Sequence, residues 1–229
     1  MGDIFRVKFF HDKNKAKEIE QKLMAKWDRD RKPRTGIHTY DVVYCQLKAF
    51  LRFAGVEKRI TKQSVGFMVF GIIGDFLVGE LFPRKYRHFK TGLYDVIKSE
   101  IDVLEQGLYP LEIKTTRKRI FRKSQVPQKW VEQLLTYMCE QNAHQGWLVL
   151  LSIFSGQIMT FKLEITQQEI EAQKVVALER ARIIKEAVNN RDPTPLQPQP
   201  AEYSLCDYKY RCPKKEECRE KAKNLGKKR

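Results

Sequence analysis

The residues best suited to chemistry lie in the segment SEIDVLEQGLYPLEIKTT, positions 99–116. Side chains alternate faces along a strand, so Glu112 and Lys114 share one face and Ile113 takes the other. Two alternating runs, residues 95–104 and 109–115, flank Glu105-Gln106-Gly107, which is the pattern of a β-hairpin. A hairpin closing near Gln106 and Gly107 sets Asp102 across from Glu112 and Lys114 or close to them. Two carboxylates suit a hard divalent cation such as Mg²⁺, which takes oxygen ligands and keeps several waters. Such an ion acidifies a bound water and stabilises charge on a phosphoryl oxygen. A neighbouring lysine can hold an attacking hydroxide or steady the phosphorus. The plainer alternative is a solvated strand face carrying Glu–Lys pairs; an E-x-K triplet by itself favours that alternative, and Asp102 and the hairpin turn together with it bring the two readings level.

The cysteines form a second constellation. There are five, Cys45, Cys139, Cys206, Cys212 and Cys218, and three of them fall within thirteen residues of one another. The opening residues MGDIFRVKFF contain no apolar secretory core. With an odd cysteine count, this predicts a reducing, cytoplasmic setting. Cys139 sits in the apolar part of a helical pattern and reads as core.

The rest of the chain must position these groups. Its 229 residues are 42% hydrophobic and 11% aromatic, a globular composition. Lys and Arg number 44 against 28 Asp and Glu, a net charge of +16, which favours a polyanionic partner through counterion release. The stretch from Val65 to Phe82 is long enough to suggest a membrane span, but Asp75 and Glu80 inside it are costly in a bilayer, and a buried helix or strand pair is expected there instead. Ile19, Leu23 and Trp27 mark a narrow-striped helix within residues 12–32. Thr39 is placed to cap a helix from about Tyr40 to Phe53 that carries Cys45. PRKYRHFK, residues 83–90, reads as a basic loop with interleaved aromatics. Pro127 opens a helix to about Gln145, with Gly146 as its C-terminal cap. Two strands follow, joined at Ser155-Gly156, and Thr166 with Glu169 forms the capping box of a helix to Asn190. The order of elements predicts an α/β (α+β) fold with a mixed sheet flanked by helices. The expected divisions are an N-terminal helical segment (1–36), a core (37–190), and a Pro-rich linker with a basic cysteine-containing tail (191–229).

Asp102 followed by Glu112-Ile113-Lys114 resembles the D…(D/E)xK signature of the PD-(D/E)xK nucleases. Over residues 38–220 the chain resembles the RecB-like branch, closest to the CRISPR-associated iron–sulfur exonuclease family and its archaeal and viral relatives. The resemblance implies a restriction-endonuclease-like sheet. It also implies a metal bound by Asp102, Glu112 and the Ile113 carbonyl, with Lys114 positioning the nucleophile. Gly71-Ile72-Ile73-Gly74-Asp75 stands where the family has G-x-x-x-H, so Asp75 replaces the family's histidine and becomes a candidate ligand. Gln133 and Tyr137 match a Q-x-x-x-Y motif and share a helical face. Cys45 matches the family's first cysteine. Cys206 and Cys212 match a C-x5-C pair, which puts the remaining tail cysteine of the family on Tyr203 and leaves Cys218 as the replacement. Four thiolates suit a 4Fe–4S cluster or zinc, and such a group would tie the tail to the early helix.

The activity implied is a Mg²⁺- or Mn²⁺-dependent DNA nuclease, an exonuclease on single-stranded or frayed ends, with the basic segments 84–90 and 117–123 holding phosphates. A non-catalytic DNA-binding adaptor and a structure-specific endonuclease are the alternatives on the same fold. The implied partners are DNA and the proteins of CRISPR adaptation or of recombination and repair, with no membrane; oligomeric state is left open.

Overall fold

The computed structural model describes residues 35–58, 80–117, 122–199 and 206–227, with shorter pieces at 21, 66, 69–74, 76 and 120. The chain divides into two compact units, 1–34 and 35–229. In the first, the described residue is Gln21, which is helical and exposed. The helix expected around Ile19, Leu23 and Trp27 otherwise lies outside the described residues. All the elements named below belong to the second unit.

That unit is built on an open, mixed six-stranded sheet. Its strands are β1 (Ile37–His38), β2 (Arg87–Leu93), β3 (Ile97–Glu105), β4 (Tyr109–Thr116), β5 (Gln145–Ser152) and β6 (Ile158–Glu164). The order is β1-β3-β4-β5-β6, and β2 also pairs with β3. A strand has two edges and β3 has three partners. β2 runs antiparallel along one edge from Ile97 to Val103. The other edge is shared: β1 pairs in parallel at Ile97 and Lys98, and β4 pairs antiparallel at Val103, Leu104 and Glu105. Past the Val103–Leu111 pair, β4 leaves β3 and runs in parallel with β5 through Thr116. A wedge therefore opens between β3 and β4, with Ser99 to Asp102 along one side.

The helices are α1 (Thr39–Val43), α2 (Gln46–Phe53), α3 (Gln128–Glu140), α4 (Gln167–Asn190) and α5 (Lys215–Lys227). α1, α2 and α4 pack with Leu93, Ile97 and Leu196 into one core cluster, which includes Val42, Leu47, Ala181 and Ile184. Leu134 and Met138 of α3 lie on Leu148 and Leu150 of β5. Arg180 of α4 ties the layer together, reaching Glu132 of α3 at 3.3 Å and the Val42 carbonyl at 3.4 Å. Val103, Leu111, Ile113 and Val149 form the opposite face, packed with Phe82 and Trp147.

The hairpin, the final two strands and the capping box at Thr166 and Glu169 are as expected. Four local expectations are corrected. First, the helix over 40–53 is broken: Tyr44 leaves helical geometry (φ −96°, ψ −145°), and Cys45 is extended and caps α2 rather than lying within a helix. Asp41 repairs the break by pairing with Arg52 at 2.6 Å while accepting the His38 amide at 2.9 Å, and Arg52 also reaches the Gly36 carbonyl. His38, not Thr39, is the N-cap of α1. Second, PRKYRHFK is not simply a loop, because its second half begins the edge strand β2. Third, α3 stops at Glu140 with Asn142 at φ +51°, and Gly146 lies inside β5. A Cβ on Gly146 would meet the Pro110 carbonyl at 3.0 Å and Leu134 and Met138 at 3.1 Å, so the glycine admits α3 to the sheet instead of capping it.

Fourth, the described part of the apolar stretch is helical over 69–74 but not buried: Ile72 is 50% and Phe76 62% exposed. Gly74 is its buried contact, on the face that carries Thr115 and Leu151. Among the described residues no helix is long and apolar enough to cross a membrane. A Cβ on Gly74 would run into the Thr115 methyl. Gly74→Ala is therefore expected to destabilise the protein by ~1–3 kcal/mol through overpacking. Thr115→Ser, which removes that methyl, should recover most of the loss in the double variant. Urea unfolding of the four proteins measures this, and an unchanged midpoint for Gly74→Ala would refute the close approach.

Candidate metal site and cysteine cavity

The wedge between β3 and β4 is where the polar side chains collect. Asp102, beyond the last β3–β4 pair, bridges the gap with its carboxylate, accepting the Ile113 amide at 2.8 Å. Glu112 is 1% exposed, and its Oε1 forms a short ion pair with Lys114 Nζ. Its Oε2 is buried and has no hydrogen-bond partner among the described residues. Leaving such an oxygen unsatisfied costs on the order of 1–3 kcal/mol, and more when it is charged. Burial works against the Lys114 ammonium, but Glu112, then Tyr44 and Asp102, outweigh it and hold its pKa above the ordinary lysine value. Lys114 is thus held as a cation at neutral pH.

α3 lays a second row over this one. Gln133 and Tyr137 are both buried, and Gln133 Nε2 donates to the Tyr137 hydroxyl at 2.9 Å. Tyr44, from the break between α1 and α2, donates its hydroxyl to Gln133 Oε1 at 3.1 Å. Burial first, then the nearby Glu112 and Asp102 carboxylates, push the Tyr137 phenol well above its usual pKa, so it stays protonated. The structure thus brings together Asp102, Glu112, Lys114, Gln133 and Tyr137, with the Ile113 backbone among them. Gly74 of the helical segment lies against the Thr115 side of the sheet. Asp75 lies outside the described residues.

Tyr44 was not singled out by sequence. Next to Cys45 it looks like one more apolar-face residue of a continuous helix, and only the break turns its hydroxyl to Gln133. A second group was also missed. Glu140 Oε1 accepts hydrogen bonds from Ser99 and Thr39, and its Oε2 is buried without a partner among the described residues. These three residues come from β3, α1 and α3, and their spacing carries no pattern that would join them.

The four cysteines Cys45, Cys206, Cys212 and Cys218 line a single cavity. Lys48, Lys209 and Lys215 line it as well. Cys45 and Cys218 are buried, and Cys206 and Cys212 half-buried. The tail reaches this position through its own contacts: Lys214 Nζ donates to the Thr194 and Leu196 carbonyls at 2.8 and 2.7 Å, and Leu196 is in the core. Cys139 is elsewhere, buried under α4, with its thiol on the Ile170 carbonyl and pushed up to about 12 by burial. Among the described residues no three His, Cys, Asp or Glu side chains already close around one ion. Two carboxylates with water suffice for Mg²⁺, and a 4Fe–4S cluster takes one thiolate on each iron rather than four on one atom. The four thiols suit a 4Fe–4S cluster or zinc alike, and the two carboxylates suit a hard divalent cation.

Fold and site together define a mixed-sheet α/β protein with a carboxylate–lysine cluster at a split in its sheet and a four-cysteine cavity beside it. No family model matches the chain, and no curated protein matches it. Among solved structures it is similar to that of SSO0001, with 18% identity and a TM-score of 0.58 over 87% of this chain and 96% of that one, a likeness of fold. It is also similar to a phage-related exonuclease from Haemophilus somnus 129PT, with 11% identity and a TM-score of 0.40 over 80% of this chain and 91% of that one.

The Glu140 carboxyl carries a pH prediction. Burial, opposed by the Ser99 and Thr39 hydroxyls, raises it from 4.5 to about 7. The folded chain therefore holds a proton that the unfolded chain releases, and stability from this group is full below about pH 4.5, falls as pH rises, and is gone above about 7. Replacing Glu140 with Gln should flatten that part of the profile. Melting temperatures of both proteins between pH 4.5 and 8 check it, and parallel curves would show that Glu140 is not the group responsible.

Proposed function

We propose that this protein is a divalent-metal-dependent DNA nuclease of the RecB-like PD-(D/E)xK type, acting as an exonuclease on single-stranded or frayed ends. The observation that carries the reading is the buried Glu112 Oε2, without a partner among the described residues, beside Asp102 and Lys114 in the wedge of the sheet. Glu140 also has an open buried oxygen, but among the described residues it lacks a neighbouring carboxylate and lysine of the kind that flank Glu112; the second carboxylate, Asp102, is what favours a cation here. Asp102, Glu112 and the Ile113 carbonyl would hold Mg²⁺ or Mn²⁺. When bound, the ion supplies Lewis-acid stabilisation of phosphoryl charge and a more acidic water. Lys114 stays protonated and orients the nucleophile or the phosphoryl oxygens as a donor. Gln133 and Tyr137, braced by Tyr44, fix the roof over these groups so that their dipoles need not reorganise during reaction. The net charge of +16 supports a polyanionic substrate.

The cysteine cavity belongs to the same reading. Cys45, Cys206, Cys212 and Cys218 would hold a 4Fe–4S cluster, with zinc as the alternative, and Lys48, Lys209 and Lys215 would offset the thiolate charge. The family resemblance extends the proposal to partners in CRISPR adaptation or in recombination and repair.

Lys114→Ala and Glu112→Gln should each lower cleavage of end-labelled DNA in Mg²⁺ or Mn²⁺ by roughly 10²–10³-fold, the loss typical for a group that stabilises developing charge. Wild-type rates in both variants would remove the assigned site. Protein purified without oxygen should be brown and carry about four irons per chain. Colourless protein with stoichiometric zinc would reject the cluster.

A further inference from the structure

We propose that the open cavity where the chain leaves α3, beside the start of β4 and the end of β6, is a binding site for an unpaired guanine base. It is separate from the wedge and from the cysteines, and it needs no cleavage, so it stands or falls apart from the nuclease reading. The cavity measures about 440 Å³, within the range of small-ligand sites. Leu108 and Tyr109, where β4 begins, and Ile165, just past β6, give it apolar surface. The turn that follows α3 supplies Gln141, Asn142 and His144, and the last residue of β6 supplies Glu164. Two of these segments are clamped together: the Ile165 amide donates to the His144 carbonyl at 2.9 Å, and His144 Nδ1 lies 3.2 Å from the Ile165 carbonyl.

The bonds these side chains already make fix what they have left to offer. A carbonyl only accepts, so Nδ1 of a neutral His144 carries the proton and Nε2 remains an acceptor. Glu164 gives Oε1 to Lys162 at 2.6 Å and keeps its other oxygen. Gln141 donates Nε2 to Thr91 at 2.7 Å and keeps its carbonyl oxygen. Asn142 is the reverse: its Oδ1 accepts from Gln167 and Lys174 at 3.3 and 3.5 Å, which leaves its amide nitrogen as a donor. Remaining acceptors therefore outnumber remaining donors. Among the described residues no lysine or arginine lines the cavity, in a chain that has 44 of them. Lys162 and Lys174 lie outside the lining and are paired with Glu164 and Glu171. This is not a phosphate site; it suits a flat, apolar body with an edge rich in donors. The pairing edge of guanine has two adjacent donors, N1–H and the 2-amino group, beside one acceptor, O6. Adenine and cytosine lack the adjacent donor pair, and thymine has the opposite balance. A carboxylate accepts such donors with charge-assisted strength. In a duplex that edge is covered by cytosine, so only a free guanine nucleoside or a guanine in an unpaired strand can enter.

Calorimetry on the full chain, without added divalent metal, compares deoxyguanosine with deoxyinosine, which lacks only the 2-amino group, and with thymidine. Fluorescence anisotropy compares a thymidine oligonucleotide carrying one central guanine with the same strand carrying hypoxanthine there, and with the blunt duplex of each. The guanine ligand should bind roughly 10–100-fold more tightly than its hypoxanthine counterpart, the loss expected for one hydrogen bond to a charged group. A preference among the nucleosides assigns a free ligand; one confined to the strands assigns unpaired DNA. Glu164 is exposed, so Glu164→Gln should keep the fold while abolishing the preference. Lys162→Ala removes the same ion pair but leaves the carboxylate, and it should keep the preference. No guanine preference in either assay, an equal preference in the duplex, a preference that survives Glu164→Gln, or one that is lost in Lys162→Ala would each overturn the site.

Discussion

A β-strand can hold only one neighbour per edge at any point, and β3 is asked to hold two along one of them. β1 takes Ile97 and Lys98, β4 takes Val103 to Glu105, and the backbone between them must satisfy its polar groups in other ways. Several of the buried polar side chains gather there. The Asp102 carboxylate replaces a strand by accepting the Ile113 amide, and Ser99 joins Thr39 and Glu140. Because β4 turns away to pair with β5, Glu112 and Lys114 face this opening instead of a sealed ladder. The buried carboxylate, its lysine and the roof of α3 all depend on that divergence.

The break at Tyr44 and Cys45 is the second hinge of the design. In one unbroken helix the two residues would be rotated by a fixed angle and share the environment of their turn. With Tyr44 out of helical geometry and Cys45 capping α2, the hydroxyl goes to Gln133 while the neighbouring thiol goes to the cysteine cavity. Asp41 and Arg52 hold the break shut with a largely buried ion pair. Adjacent residues thus belong to two different chemical sites. The tail reaches the second of them by hydrogen bonds from Lys214 and by the fit of Leu196, so its cysteines converge with Cys45 across more than 160 residues of chain.

Electrostatics in the wedge are one-sided in purpose. Burial opposes the Lys114 charge, but two carboxylates keep it charged, while burial together with the same carboxylates keeps Tyr137 protonated. Both groups are then fixed hydrogen-bond donors across the neutral range. Glu140 sits outside this arrangement, and burial outweighs the Ser99 and Thr39 hydroxyl donors and raises its carboxyl to about 7.

What the amino-acid order determined by itself was local. Alternation and Gly107 wrote the hairpin, Thr166 and Glu169 wrote the start of α4, and the two-residue spacing put Glu112 beside Lys114, because each follows from backbone periodicity over a few residues. The same local reading went astray at Cys45, where helical periodicity runs straight through a break enforced by Asp41 and Arg52, and at Gly146, where a glycine that looks like a cap is needed by α3 pressing on β5. Only the tertiary structure decided the split along β3, the turn of Tyr44 toward Gln133, the Thr39–Ser99–Glu140 group, and the meeting of Cys45 with the tail. Each of those depends on which strand occupies an edge or which helix covers a face, and that choice is settled by packing between residues far apart in sequence.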